Sequence, residues 1–155
     1  MIFSRSAEYA IRAFVHLARV PEGKYAMVKD IARDSGIPSH FLAKILQQMA
    51  RKGFLKSSKG PTGGFCLREP AEEISMLKIV ESQDGLSDFE RCPAGMAKCD
   101  DHQPCGMHDK WKALRQGIMD YLGQTSIADL ALALDQKQKA LGKPKRVRRS
   151  APAKN

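Results

Sequence analysis

The chain has 155 residues, enough for one domain with a small appendage, and its 43% hydrophobic content sets it in the globular class. A net charge of +9 points to a polyanionic partner, nucleic acid or a membrane surface. No apolar run approaches the roughly 20 residues needed to cross a bilayer. The charge is unevenly placed: 13 basic against 7 acidic side chains in residues 1–80, 3 against 7 in 81–110, and 10 against 3 in 111–155. Arg5, Glu8, Arg12 and Arg19 interrupt any signal-peptide core, so a cytoplasmic location is expected. Structural disulfides are rare there, and the four cysteines read as ligands, redox groups or small hydrophobes.

Residues 4–18 are predicted as an amphipathic helix, with Ala7, Ala10, Ile11, Phe14, Leu17 and Ala18 on one face and Ser4 or Ser6 as the cap. Pro21 to Lys24 breaks it. A short helix with Val28, Ile31 and Ala32 inward ends at Gly36, and Pro38 opens another that runs to about Lys52. Leu42, Ile45, Leu46 and Met49 form the buried stripe of that third helix, and Ser39, His40, Ala43, Lys44, Gln47, Gln48 and Arg51 lie on its other face. Two short helices joined by a glycine turn, the second basic outside, read as a helix-turn-helix.

Two short strands, 54–58 and 65–68, flank the turn-rich Lys59-Gly60-Pro61-Thr62-Gly63-Gly64, which reads as a basic-tipped wing. Ser39, His40, Lys44 and Gln47 are expected at base edges, and Arg51, Lys56 and Lys59 at phosphates. Cys66 alternates with Phe65 and Leu67 and reads as a small side chain in the hairpin. The fold class is therefore mainly α with a small β-hairpin, a winged helix-turn-helix over residues 1–83. Residues 111–135, with Trp111, Leu114, Ile118, Tyr121, Ile127 and Leu130, are predicted as dimerisation helices. Residues 136–155 carry eight basic side chains and no acid and are expected to be a disordered tail that adds attraction to nucleic acid.

Between these parts, residues 84–110 form a cysteine-rich loop. Cys92, Cys99 and Cys105 are spaced by six and five residues, and His108 follows the last by three. Pro93, Gly95, Pro104 and Gly106 exclude regular structure there. Thiolates favour zinc, copper(I) and iron–sulfur centres. Three classes follow: a cluster-controlled DNA-binding protein, a zinc-stabilised or thiol-switch DNA-binding protein, and an iron–sulfur carrier. Structural zinc sites use cysteine pairs two to four apart, which this loop lacks, and a carrier has no use for a basic helix and wing. No phosphate loop, nucleophile elbow or paired-carboxylate motif is present, so no enzyme activity is expected.

The helix, helix-turn-helix, Lys-Gly-Pro-Thr-Gly-Gly-Phe wing, Ile74-Ser75 and three cysteines together resemble the Rrf2 family of bacterial transcription regulators. The likeness continues through Thr125-Ser126-Ile127-Ala128-Asp129-Leu130 and covers residues 1–134. It implies a homodimeric winged-helix regulator that binds a double-stranded DNA operator. It also implies a [2Fe–2S] or [4Fe–4S] cluster held by Cys92, Cys99 and Cys105 with a weaker fourth ligand. In IscR-type members that ligand is a histidine, matching His108. In NsrR-type members it is an acid on the partner's first helix, matching Glu8. The chain departs from the common pattern in its first cysteine interval, six residues where five is usual, and at Ala43, where some IscR-type members carry glutamate.

Overall fold

The computed structural model describes residues 2–96 and 99–141. Helix α1, Arg5–Ala18, is the centre of the domain, packed against α2 (Val28–Ser35), α3 (Ser39–Arg51), α4 (Met76–Asp84) and α7 (Ile127–Leu141). Ser4 caps it: its hydroxyl accepts from the Ala7 N–H at 3.1 Å. Ser4 also donates its own N–H to Asp84 Oδ2 at 2.7 Å and its hydroxyl to Oδ1, so a carboxylate from the end of α4 sits at the positive end of α1. The predicted stripe is buried except for Ala18, which is half-buried, and Phe14 meets Phe54 edge-on at 6.3 Å.

Helix α2 (Val28–Ser35) stops because Gly36 takes the left-handed conformation, φ +64°, from which its N–H returns to Ala32. Helix α3 (Ser39–Arg51) starts after Pro38 and buries Leu42, Ile45, Leu46 and Met49. On α1, His16 faces Asp34 of α2 at 3.8 Å. Burial pushes the His16 pKa below 6.5, with Asp34 opposing. The folded state thus holds this proton less tightly than the unfolded chain. Stability should be full above pH 6.5 and decline as pH falls through the lower folded value. His16→Gln should flatten that acid limb in thermal unfolding at stepped pH; an unchanged limb would assign it elsewhere.

Strands β1 (Leu55–Ser58) and β2 (Gly64–Leu67) form the wing, antiparallel with Leu55 opposite Leu67 and Ser58 opposite Gly64. A contact not legible in the sequence fastens it. Ala26, just before α2, pairs with Phe65 through two 2.9 Å main-chain hydrogen bonds. Gly64 makes this approach possible, because a Cβ there would lie 2.1 Å from the Ala26 carbonyl oxygen.

Helix α4 (Met76–Asp84) is capped by Ser75 and followed by the short α5 (Ser87–Glu90), which was not expected. Helix α6 spans His108–Gln124 and α7 spans Ile127–Leu141. The junction between them docks on the segment that leads into α4: Met76 N–H bonds Thr125 O at 2.9 Å and Ile127 N–H bonds Ile74 O at 2.8 Å. Helix α7 packs along α1, where Arg19 reaches Asp135 at 2.5 Å and Gln138 at 3.0 Å. It therefore runs six residues into the segment expected to be a tail; residues 142–155 lie outside the described residues. The expected fold class is borne out. Among the described residues no helix is long and apolar enough to cross a membrane.

Candidate nucleic-acid interface and cysteine loop

Ser39, His40, Lys44, Gln47 and Arg51 are all exposed on α3, because Leu42, Ile45, Leu46 and Met49 take the side that faces the core. Phe41 shares this surface, 53% exposed, with its ring 4.4 Å from that of His40. Sequence reading missed it, although an aromatic outside the buried stripe of a helix was the available signal. An exposed ring there suits a thymine methyl or an unstacked base.

Between α2, α3 and the wing lies a groove of about 970 Å³. Arg51, Lys56 and Lys59 line it, joined by Lys29 and Arg68, which periodicity alone did not single out. Five cations around one concave surface focus a positive potential. Lys59→Ala should weaken binding to all DNA sequences and reduce the slope of log K against log salt by about 0.9. Lys44→Ala should instead change the ranking of operator variants in a competition assay; uniform weakening would deny Lys44 a base-reading role. Cys66 lies in β2 opposite Lys56, half-buried, and its sulfur pushes the Tyr25 phenol above the ordinary 10.0.

The cysteine loop is pinned to α6 at its N-terminal end, and at its C-terminal end it runs directly into that helix. The Trp111 indole donates to Arg91 O at 3.1 Å, and Arg115 reaches Phe89 O at 3.5 Å. Tight turns follow Cys92 and Cys105, whose carbonyls accept from Gly95 and His108. Cys92 is buried, and Cys99 and Cys105 are half-buried. His108, only 5% exposed, brings Nδ1 to 3.3 Å from Cys99 Sγ and Nε2 to 2.7 Å from Asp101 Oδ1. Lys112 grips both Asp101 oxygens at 2.7 and 2.9 Å. The Lys112 and His108 contacts hold the Asp101 carboxyl down at about 2. Among the described residues no three His, Cys, Asp or Glu side chains converge on one metal position. Cys99 and His108 do meet, and the chemistry of the set, three thiols and a buried imidazole on one loop, fits iron. Glu8 lies apart on α1, paired with Arg12 at 3.3 Å, and His102 is exposed.

Past the loop, α6 carries an apolar concavity of about 440 Å³ lined by Ile2, Phe3, Met76, Leu114, Ile118 and Tyr121. Leu114 is 57% and Tyr121 62% exposed.

The model of the Rrf2 family, described as iron-dependent transcriptional regulators, matches residues 3–133. A helix-turn-helix-type transcriptional regulator of Aquifex aeolicus is 35% identical over 132 residues, covering 84% of this chain and 91% of that protein. Among solved structures, CymR, the global cysteine regulator of B. subtilis, superposes with a TM-score of 0.70 at 21% identity, over 84% of this chain and 95% of that one. T. potens IscR gives 0.69 at 19%, over 91% of each chain. These two carry the fold, and the winged helix is common to it. From the family match and the Aquifex relative, the chain belongs to the Rrf2 family of transcriptional regulators.

Proposed function

We propose that the chain is a homodimeric operator-binding regulator whose DNA affinity is controlled by an iron–sulfur cluster, [2Fe–2S] or [4Fe–4S], in the loop from Cys92 to His108. The observation that carries this reading is positional. The last donor of the set, His108, is the first residue of α6, and α6 also bears the unpartnered apolar concavity. A bound cluster would supply a centre that responds to nitric oxide, redox state or iron supply. Cys92, Cys99 and Cys105 supply the firm thiolate ligands, and His108 or Glu8 of the partner subunit supplies the weaker fourth. Ser39, His40, Lys44 and Gln47 face base edges, Gln47 suiting adenine and Lys44 guanine, while Arg51, Lys56 and Lys59 hold phosphates. Ile2, Leu114 and Tyr121 form the contact with a second copy. The rearrangement of the loop would act on the spacing of two recognition helices across that seam.

The Cys99–His108 contact favours a second reading, a metal-free thiol switch, because it sets a half-buried free thiol directly beside an imidazole. Anaerobic purification with iron, sulfide and zinc analysis separates the two. Equal iron and sulfide, with different operator affinities for loaded and metal-free protein at one salt concentration, supports the cluster reading. Equal affinities would sink it. Zinc alone would point to a structural site, and metal-free protein whose DNA affinity follows thiol oxidation would establish the switch.

A further inference from the structure

We infer that Asp101 and Lys112 are positioning residues for His108, fixing its imidazole so that Nδ1 is the atom offered to iron beside Cys99. This inference rests on the cluster reading above and chooses between its two fourth ligands. His108 is nearly buried, yet both ring nitrogens have defined partners. A carboxylate bridged by an ammonium only accepts hydrogen bonds, so the hydrogen lies on Nε2, 2.7 Å from Asp101. In the neutral ring, the form that binds a metal, the lone pair is then on Nδ1, the nitrogen that lies 3.3 Å from the Cys99 sulfur.

The arrangement follows from the helix. His108 and Lys112 stand four residues apart, so both occupy one face of α6 at its first turns. Asp101 reaches across from the loop and bridges them. Histidines that bind metals usually donate their second ring N–H to a carboxylate, which fixes the ring and makes the ligating nitrogen a stronger donor. Glu8, the alternative ligand, is instead engaged by Arg12. The Asp101 side chain is 64% exposed and that of Lys112 51%, so their ion pair adds little to folding stability. Replacing Asp101 therefore tests orientation with little effect on the fold.

The first measurement uses metal-free full-length protein. Nitrogen-15 spectra of the His108 imidazole should show the hydrogen on Nε2 in the wild type and a mixture of tautomers in Asp101→Ala. The second uses protein reconstituted anaerobically with iron and sulfide. The reduction potential of the bound centre should rise in Asp101→Ala, because the ligand is then a weaker donor. Asp101→Asn, whose amide oxygen still accepts from Nε2–H, should restore much of the wild-type value. In a His108→Cys background, Asp101→Ala should leave the potential unmoved.

A wild type with the hydrogen on Nδ1 would overturn the proposal. So would a potential indifferent to Asp101, or one that shifts equally without the imidazole. A wild type that takes up no iron sinks the cluster reading and the iron-directed half of this inference with it. The tautomer measurement then still decides whether Asp101 orients His108.

Discussion

Gly64→Val should lower the thermal unfolding midpoint by roughly 10 °C, from a loss of about 3 kcal/mol. The added Cβ would meet the Ala26 carbonyl oxygen at 2.1 Å and its carbon at 2.6 Å. Both are backbone atoms, so no rotamer change relieves the clash. The φ of +143° is itself unfavourable for a branched side chain. The chain can escape only by parting β2 from residue 26, which breaks two 2.9 Å hydrogen bonds and frees the wing. Gly106→Ala is the control: nothing lies within 4 Å of a Cβ there, and a change within about 0.5 kcal/mol is expected. Calorimetry on metal-free protein decides it. A Gly64→Val protein that melts with the wild type would mean that the wing does not close on Ala26.

Leu114→Asp should turn the proposed dimer into a monomer and weaken operator binding about 10²–10⁴-fold, the advantage that joining two half-site contacts confers. Leu114 is 57% exposed in the single chain, so a carboxylate there disturbs little of the chain's own core. Set against a second copy, it would place an unpaired charge in the apolar concavity beside Ile118 and Tyr121. Sedimentation equilibrium and operator titration on the same sample test the idea. A monomer with undiminished operator affinity would remove α6 from the DNA-binding unit.

Much of the DNA-binding half was legible because its signals are local. The spacing of Ala7, Ala10, Ile11 and Phe14 fixes the buried face of α1, Ser4 and Ser75 fix two helix starts, and Gly36 fixes an end. What escaped was non-local. Ala26 has no feature that marks it as a partner of the wing, and the Asp84–Ser4 link joins residues 80 apart. Helix α7 outran its expected end because Gln136, Lys137, Gln138, Lys139 and Ala140 are good helix formers, whereas their charge alone suggested a tail. The cysteine loop was legible as a donor set but not as a geometry. Thiols attract one another weakly, so spacing says which sulfurs share a loop and not how they converge. The pairing of His108 with Asp101 and Lys112 crosses from loop to helix and has no periodic trace.

The Ala26 bridge bears on how long an operator can be. With residue 26 bonded to β2, and Arg68 N–H bonded to Phe54 O at the foot of the hairpin, α2, α3 and the wing move as one piece with no joint between them. One base pair inserted between two half-sites shifts the second by about 3.4 Å along the axis and turns it by about 35° around it. A jointed reading head could follow with its wing. In the proposed dimer this one could not, and the misfit would fall on the twist of the DNA or on the seam between copies. Paired as proposed, such a head would measure the interval between half-sites as strictly as it reads the bases within them, and spacer length would become part of the recognition code.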